Sequence, residues 1–291
     1  MFAEFLQFLF SGITVGAIYA LVGLGFAIIY NASHVINFAQ GEFVMLGGMN
    51  TVFFISVGMP MPVAMLLAVV VTIFIGLALE KFAIEPARDA SIVTLIIITI
   101  GASIFLRGAA QVIWGRNFHS LKPISGNDPV MIGGAAVLPQ SLWVLGCTIV
   151  IVIALMFFFN RTLVGKAIVA SAHNPLAARL VGINPRFIML LSFGLSAMLG
   201  GIAGILIAPI SLAYPGVGIM LGLKGFCAAI LGGLGNPMGA IIAGLIVGIS
   251  EAVTAGYISS AYKDAVAFII ILGVLFFKPS GLFGVRGTER V

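Results

Sequence analysis

Apolar runs of a length that crosses a bilayer as a helix, ~20 residues, follow one another along this chain and are broken only by short polar connections. Nine runs are read as candidate helices: 5–30, 38–57, 62–79, 92–113, 141–159, 188–208, 222–235, 237–256 and 261–277. Three stretches of 37 residues, 5–41, 43–79 and 187–223, carry no charge at all. The pattern predicts an all-α polytopic membrane protein with about 8–10 transmembrane helices, some broken or re-entrant, forming a single unit over 1–291. The run 222–235 is short and ends in Leu231-Gly232-Gly233-Leu234-Gly235-Asn236-Pro237, as a half-helix would. Irregular backbone at membrane depth is tolerated where protein or a water-filled cavity covers it. The segment 31–41, with Asn31, Ser33, His34, Asn37 and Gln40, is a polar bend that either lines a mouth of the membrane unit or is a plain loop.

Composition sharpens this picture. Only 8% of the 291 residues are charged and 61% are hydrophobic, against about 25% charged in a soluble domain, and no connection is long enough to hold a soluble catalytic domain. The net charge of +5 does not point to nucleic acid, because the charges flank apolar spans. Nine basic residues fall on one set of connections, Lys81, Arg88, Arg161, Lys166, Arg179, Arg186, Lys278, Arg286 and Arg290; the opposite connections hold Arg116, Lys122 and Lys263. By the positive-inside rule the first set is cytoplasmic. With an odd count the amino terminus is outside and the carboxyl terminus inside, as a multi-pass protein of the cytoplasmic membrane. The opening Met1-Phe2-Ala3-Glu4 has no basic region, so the first run reads as a retained span. Cys147 and Cys227 lie inside apolar runs and give neither a disulfide framework nor metal spacing, and His34, His119 and His173 are isolated.

Charges inside a membrane are expensive and either functional or paired. Four qualify: Glu42, Arg107, Lys224 and Glu251. Depth permits Glu251 to pair with Arg107 or with Lys224. Glu42, beside Gln40 and Asn37, is a candidate for the polar lining of a path at the inner mouth, or is an acid in the first turn of its helix; Glu251 is a second path candidate. Glycine, at 37 residues, recurs in small-xxx-small pairs, Gly12/Gly16, Ser196/Gly200, Gly200/Gly204, Gly218/Gly222 and Gly244/Gly248, which bring helix backbones together in lipid.

The connection 160–187 holds the most informative local signal. Asn174 is a helix cap, Pro175 fits the first helical position and Gly182 supplies a left-handed stop. These bound a two-turn helix over Pro175-Leu176-Ala177-Ala178-Arg179-Leu180, with Leu176 and Leu180 forming an i, i+4 stripe beside Arg179. A free helix of this length does not persist in water, so it needs a surface to lie on. Asn184-Pro185 and Asn236-Pro237 repeat the start signal.

This loop resembles that of the integral-membrane subunits of bacterial ABC importers, in which Glu-Ala-Ala-x-x-x-Gly seats a coupling helix in a groove of the ATPase. Ala177-Ala178 and Gly182 keep the spacing, whereas Leu176 replaces the glutamate. Three blocks resemble one branch, the branched-chain amino-acid permease family: 12–21, 37–47, and 224–235 running on to Glu251. The resemblance implies a pore-forming subunit that is no enzyme, binds no cofactor and leaves ATP and Mg to two separate ATPase subunits. It also implies a paralogous permease as heterodimer partner and a solute-binding protein outside. Consistent with that division of labour, Gly165-Lys166 is followed by Ala167 and has Asn160 where a phosphate loop needs glycine. The other reading is a stand-alone secondary transporter, with Glu42 or Glu251 carrying a coupling proton. A mostly apolar path suits hydrophobic amino acids or small neutral amides.

Overall fold

The computed structural model describes residues 2–284, so Arg286 and Arg290 of the basic tail lie outside the described residues. Each of the nine apolar runs becomes one helix: α1 (Phe2–Ser33), α2 (Gln40–Ser56), α3 (Met61–Leu79), α4 (Ile92–Trp114), α5 (Pro139–Arg161), then α8 (Pro185–Ser211), α9 (Val217–Gly232), α10 (Pro237–Tyr257) and α11 (Lys263–Phe277). Seven helical segments are long and apolar enough to cross a membrane, α11 among them only together with the turn Ser260–Tyr262 before it; α2 and α9, at 17 and 16 residues, are not among the seven. Between α5 and α8 stand α6 (Leu163–His173) and α7 (Pro175–Leu180). A small antiparallel hairpin, β1 (Val130–Ile132) with β2 (Ala135–Val137), lies in the connection before α5. The basic connections and α6–α7 sit at one end of the bundle, the basic face. The hairpin closes the other end, where His119 pairs with Ala213 just past α8.

Helix starts follow local chemistry. The Asn184 and Asn236 side chains accept from the amides of Arg186 and Gly239, each at 3.0 Å, and in both cases proline occupies the next position, where its missing N–H is harmless. By contrast, α9 begins at Val217, five residues before the expected 222, and ends at Gly232 rather than 235. Pro215 and Gly216 make its start look like loop, but Gly218 and Gly222 are what let it close against α2 at Gly41. Past Gly232, Gly233 and Gly235 both take positive φ and form the turn into α10.

Burial divides the helices into two layers. From Gly16 to Ile29 α1 is buried on every side, which marks a central helix, and it packs chiefly on α10 and α8. The outer α3, α4, α5 and α11 expose apolar side chains such as Phe74, Phe105, Phe157 and Phe276. In water that shell would be a liability; in hydrocarbon it is the lipid-facing surface. Close backbone approach holds the inner layer together. A Cβ on Gly12 would stand 2.7 Å from Ile249 Cα, and one on Gly244 would stand 2.6 Å from Ala20 N. Gly244→Val is therefore expected to force α10 off α1 and cost about 1–3 kcal/mol or more. Gly101→Ala, on the open face of α4 with nothing within 4 Å, is expected to cost nothing. Thermal unfolding of the purified chain in detergent checks both; equal midpoints for the two variants would contradict the assignment.

Candidate functional site

At the basic face α7 is built as its sequence dictates. Asn174 Oδ1 accepts from Ala177 N at 3.0 Å. At the far end Ile183 N donates to Ala178 O (3.0 Å) and Gly182 N to Arg179 O (3.1 Å), with Gly182 at φ +88°, a Schellman stop. Ala178 is buried at 3% exposure, whereas Leu176 and Leu180 are 70% and 83% exposed. The apolar stripe thus points away from the protein. Arg179 lines a charged cleft with Glu80, Glu85, Asp89 and Arg186, which joins α7 to the foot of α3.

The polar bend does not stop at the membrane surface. After α1 ends at Ser33, residues 34–39 fold back into the bundle, and the Gln40 amide donates to Ser196 O at 3.2 Å. Ser196 lies eleven residues into α8, roughly 16 Å along its axis at 1.5 Å per residue. The Ser196 hydroxyl shares its proton between Gly25 O, at 2.9 Å, and Gln40 Oε1. Asn37 Oδ1 accepts from Ala39 N at 3.1 Å, and the residue faces a separate cavity of about 60 Å³. Asn37 and Gln40 therefore hold the bend shut, and α2 starts at mid-depth. Glu42, expected either at an inner mouth or as an acid in the first turn of its helix, stands in the first turn of α2.

Glu42 itself opens onto a cavity of about 260 Å³ between α1, α2, α4 and α9. Its Oε1 accepts from Ser103 Oγ at 2.8 Å. One turn further along α4, on the same face, stands Arg107, which lines the same cavity and among the described residues forms no ion pair. Of the two partners that depth permits Glu251, Arg107 is thus the one that lines the Glu42 cavity instead. The i, i+4 spacing of Ser103 and Arg107 was the available signal for this cluster.

Glu251 pairs with Lys224, at 2.6 Å between Nζ and Oε1. Asp264 Oδ1 lies 2.6 Å from the same ammonium, Tyr19 Oη donates to Glu251 Oε2 at 2.7 Å, and Lys224 Nζ stands 5.5 Å from the Tyr19 ring centroid. Glu251 and Lys224 are both buried and mutually satisfied, so this cluster ties α1, α9, α10 and α11 together. Asp264 and Tyr19 carry no such signal in the sequence. Asp264 sits beside Lys263 at a helix start, and Tyr19 sits inside an apolar run.

A membrane-spanning helix bundle with a capped short helix at one end and a largely apolar cavity holding Glu42, Ser103 and Arg107 at mid-depth suits a permease subunit, and the comparisons agree. The model of the family described as "Branched-chain amino acid transport system / permease component" matches residues 8–275, and the chain belongs to that family. It is 32% identical over 306 residues to the high-affinity branched-chain amino acid transport system permease protein LivH of Escherichia coli (strain K12), covering 100% of this chain and 99% of that protein. It is also 32% identical to the permease protein BraD of Pseudomonas aeruginosa, with 99% and 98% covered. A probable branched-chain amino acid transport permease protein LivH of Methanocaldococcus jannaschii is 30% identical, with 91% and 88% covered. Among solved structures, PsaBC from Streptococcus pneumoniae in complex with Fab superposes with a TM-score of 0.53 at 14% identity over 96% of this chain and 97% of that one, a likeness of fold alone. The apolar helices and the permease relatives make this a multi-pass protein of the inner membrane.

Proposed function

We propose that this chain is the pore-forming subunit of an ATP-driven importer that moves hydrophobic, branched-chain amino acids or closely related small solutes inward. Its partners are a paralogous permease, two ATPase subunits that bind ATP and Mg, and a solute-binding protein outside. The observation that carries this reading is α7: a capped, two-turn helix whose leucine stripe is left bare at the basic face. So short a helix is held in shape by its caps, and an apolar stripe in water calls for a partner's groove. The ATPase fills that need only if the basic face is cytoplasmic, so the amino terminus lies outside and the carboxyl terminus inside.

Orientation is therefore a direct test. Ala170→Cys and Ser120→Cys, both at exposed positions and placed singly in a chain with Cys147 and Cys227 changed to alanine, are treated with a membrane-impermeant thiol reagent. Position 120 is expected to label on intact cells and position 170 only after the membrane is opened. Labelling of 170 on intact cells puts α7 out of reach of any cytoplasmic ATPase and removes the proposal.

A further inference from the structure

The Glu42 cavity has features that packing and folding do not account for. Glu42 is 2% exposed, yet of its two carboxylate oxygens only Oε1 has a partner; Oε2 is buried with none. A buried carboxylate oxygen left without a donor is costly, and the same residue lines an empty space. Arg107 lines the same space with a planar fork of N–H donors, and among the described residues it forms no ion pair. Glu42 and Arg107 thus present one negative and one positive group in a single small chamber at mid-depth, with net charge zero.

The remaining wall is apolar. Phe26 and Phe38 each pack on Phe226, with ring centroids 5.5 and 5.4 Å apart, and Ile104 and Leu223 complete the side. At about 260 Å³ the space falls just below the ~300–1,000 Å³ of drug-sized pockets, which suits a molecule of amino-acid size. Ile104, 57% exposed, stands at its rim on the outer face of α4.

We propose that this chamber is a transit site for a zwitterionic α-amino acid with an apolar side chain. The Glu42 carboxylate takes the ammonium, Arg107 takes the carboxylate in a bidentate contact, and the phenylalanine wall takes the aliphatic group. Ser103 Oγ donates to Glu42 Oε1 and orients the carboxyl group. A cation or an anion alone would leave one of the two protein charges uncompensated, so the site selects for the pair. This inference rests on the importer reading and adds to it where in the permease the solute stops and what recognises it.

The alternative is a purely structural pair of charges, and the two differ in what neutralising both does. The test uses the full complex with its ATPase subunits in proteoliposomes, a leucine-loaded binding protein and radiolabelled leucine. Glu42→Gln and Arg107→Gln are each expected to lower leucine uptake roughly tenfold or more, while ATP hydrolysis stimulated by the loaded binding protein persists. The double variant Glu42→Gln/Arg107→Gln is expected to be no better than either single change. If instead the double variant takes up leucine as the unaltered complex does, the charges are structural and the site is wrong. Should the charge variants fail to assemble, Ile104→Trp, which touches neither charge and fills the chamber from its rim, is expected to give the same loss of uptake in an intact complex; normal uptake with it overturns the site. An unaltered complex that takes up no leucine overturns the importer reading and this site together, whereas normal uptake with indifferent variants overturns the site alone.

Discussion

An aspartate at position 180 is expected to detach the ATPase subunits and abolish coupled transport while leaving the membrane domain intact. Leu180 is 83% exposed on a capped two-turn helix, so the change breaks no contact within the chain and removes no hydrogen bond. In the assembled importer the same side chain is read as buried in an apolar groove of the ATPase, and an unpaired carboxylate there costs several kcal/mol of docking. Leu180→Ala, which loses contact area but adds no charge, is expected to weaken docking less. Co-purification of the ATPase with a tagged permease measures both. Gly182→Val belongs to the same test, since a β-branched residue resists φ +88° and would unwind the Schellman stop.

Lys224→Met is expected to be the most damaging single change inside the membrane. It leaves the Glu251 carboxylate buried with only the Tyr19 hydroxyl, and breaking a buried pair in this way costs about 3–5 kcal/mol. Glu251→Gln is expected to be milder, because Lys224 keeps Asp264 at 2.6 Å. Asp264→Asn should cost below about 1 kcal/mol, because its side chain is 44% exposed and solvent already screens it. The double change Lys224→Met/Glu251→Gln removes both buried charges and should recover most of the loss. Midpoints of thermal unfolding in detergent rank the four variants, and a Lys224→Met chain as stable as the unaltered one would refute the stabilising role of the Lys224–Glu251 cluster.

What the sequence made legible divides along physical lines. Spans are visible because each apolar run must satisfy its own backbone within one helix, and α7 was legible because its cap, its proline and its glycine stop are neighbours in the chain. The depth of α2 was not. Gln40 is held by Ser196 and, through its hydroxyl, by Gly25, partners far away in sequence, so a polar bend that re-enters the membrane reads like any surface loop. The same holds for charge pairing. Depth allowed Glu251 two partners, and only the packing of α9 on α10 selects Lys224, while α4 carries Arg107 to Glu42 instead. The helix α6 was hidden because Lys166 and His173 give its eleven residues the polarity of a connection. Across the bundle, the hairpin strands are three residues each, too short for an alternating pattern to show.

The most direct test of the central claim is the energy source of transport. Leucine uptake is measured in liposomes that hold this chain with its paralogous permease and ATPase subunits, with loaded binding protein on the opposite side. Uptake is predicted to require ATP on the side of α7, to vanish with Leu180→Asp and to be indifferent to an imposed proton gradient. Leucine accumulation by this chain without any ATPase, driven by the proton gradient alone, would contradict the account.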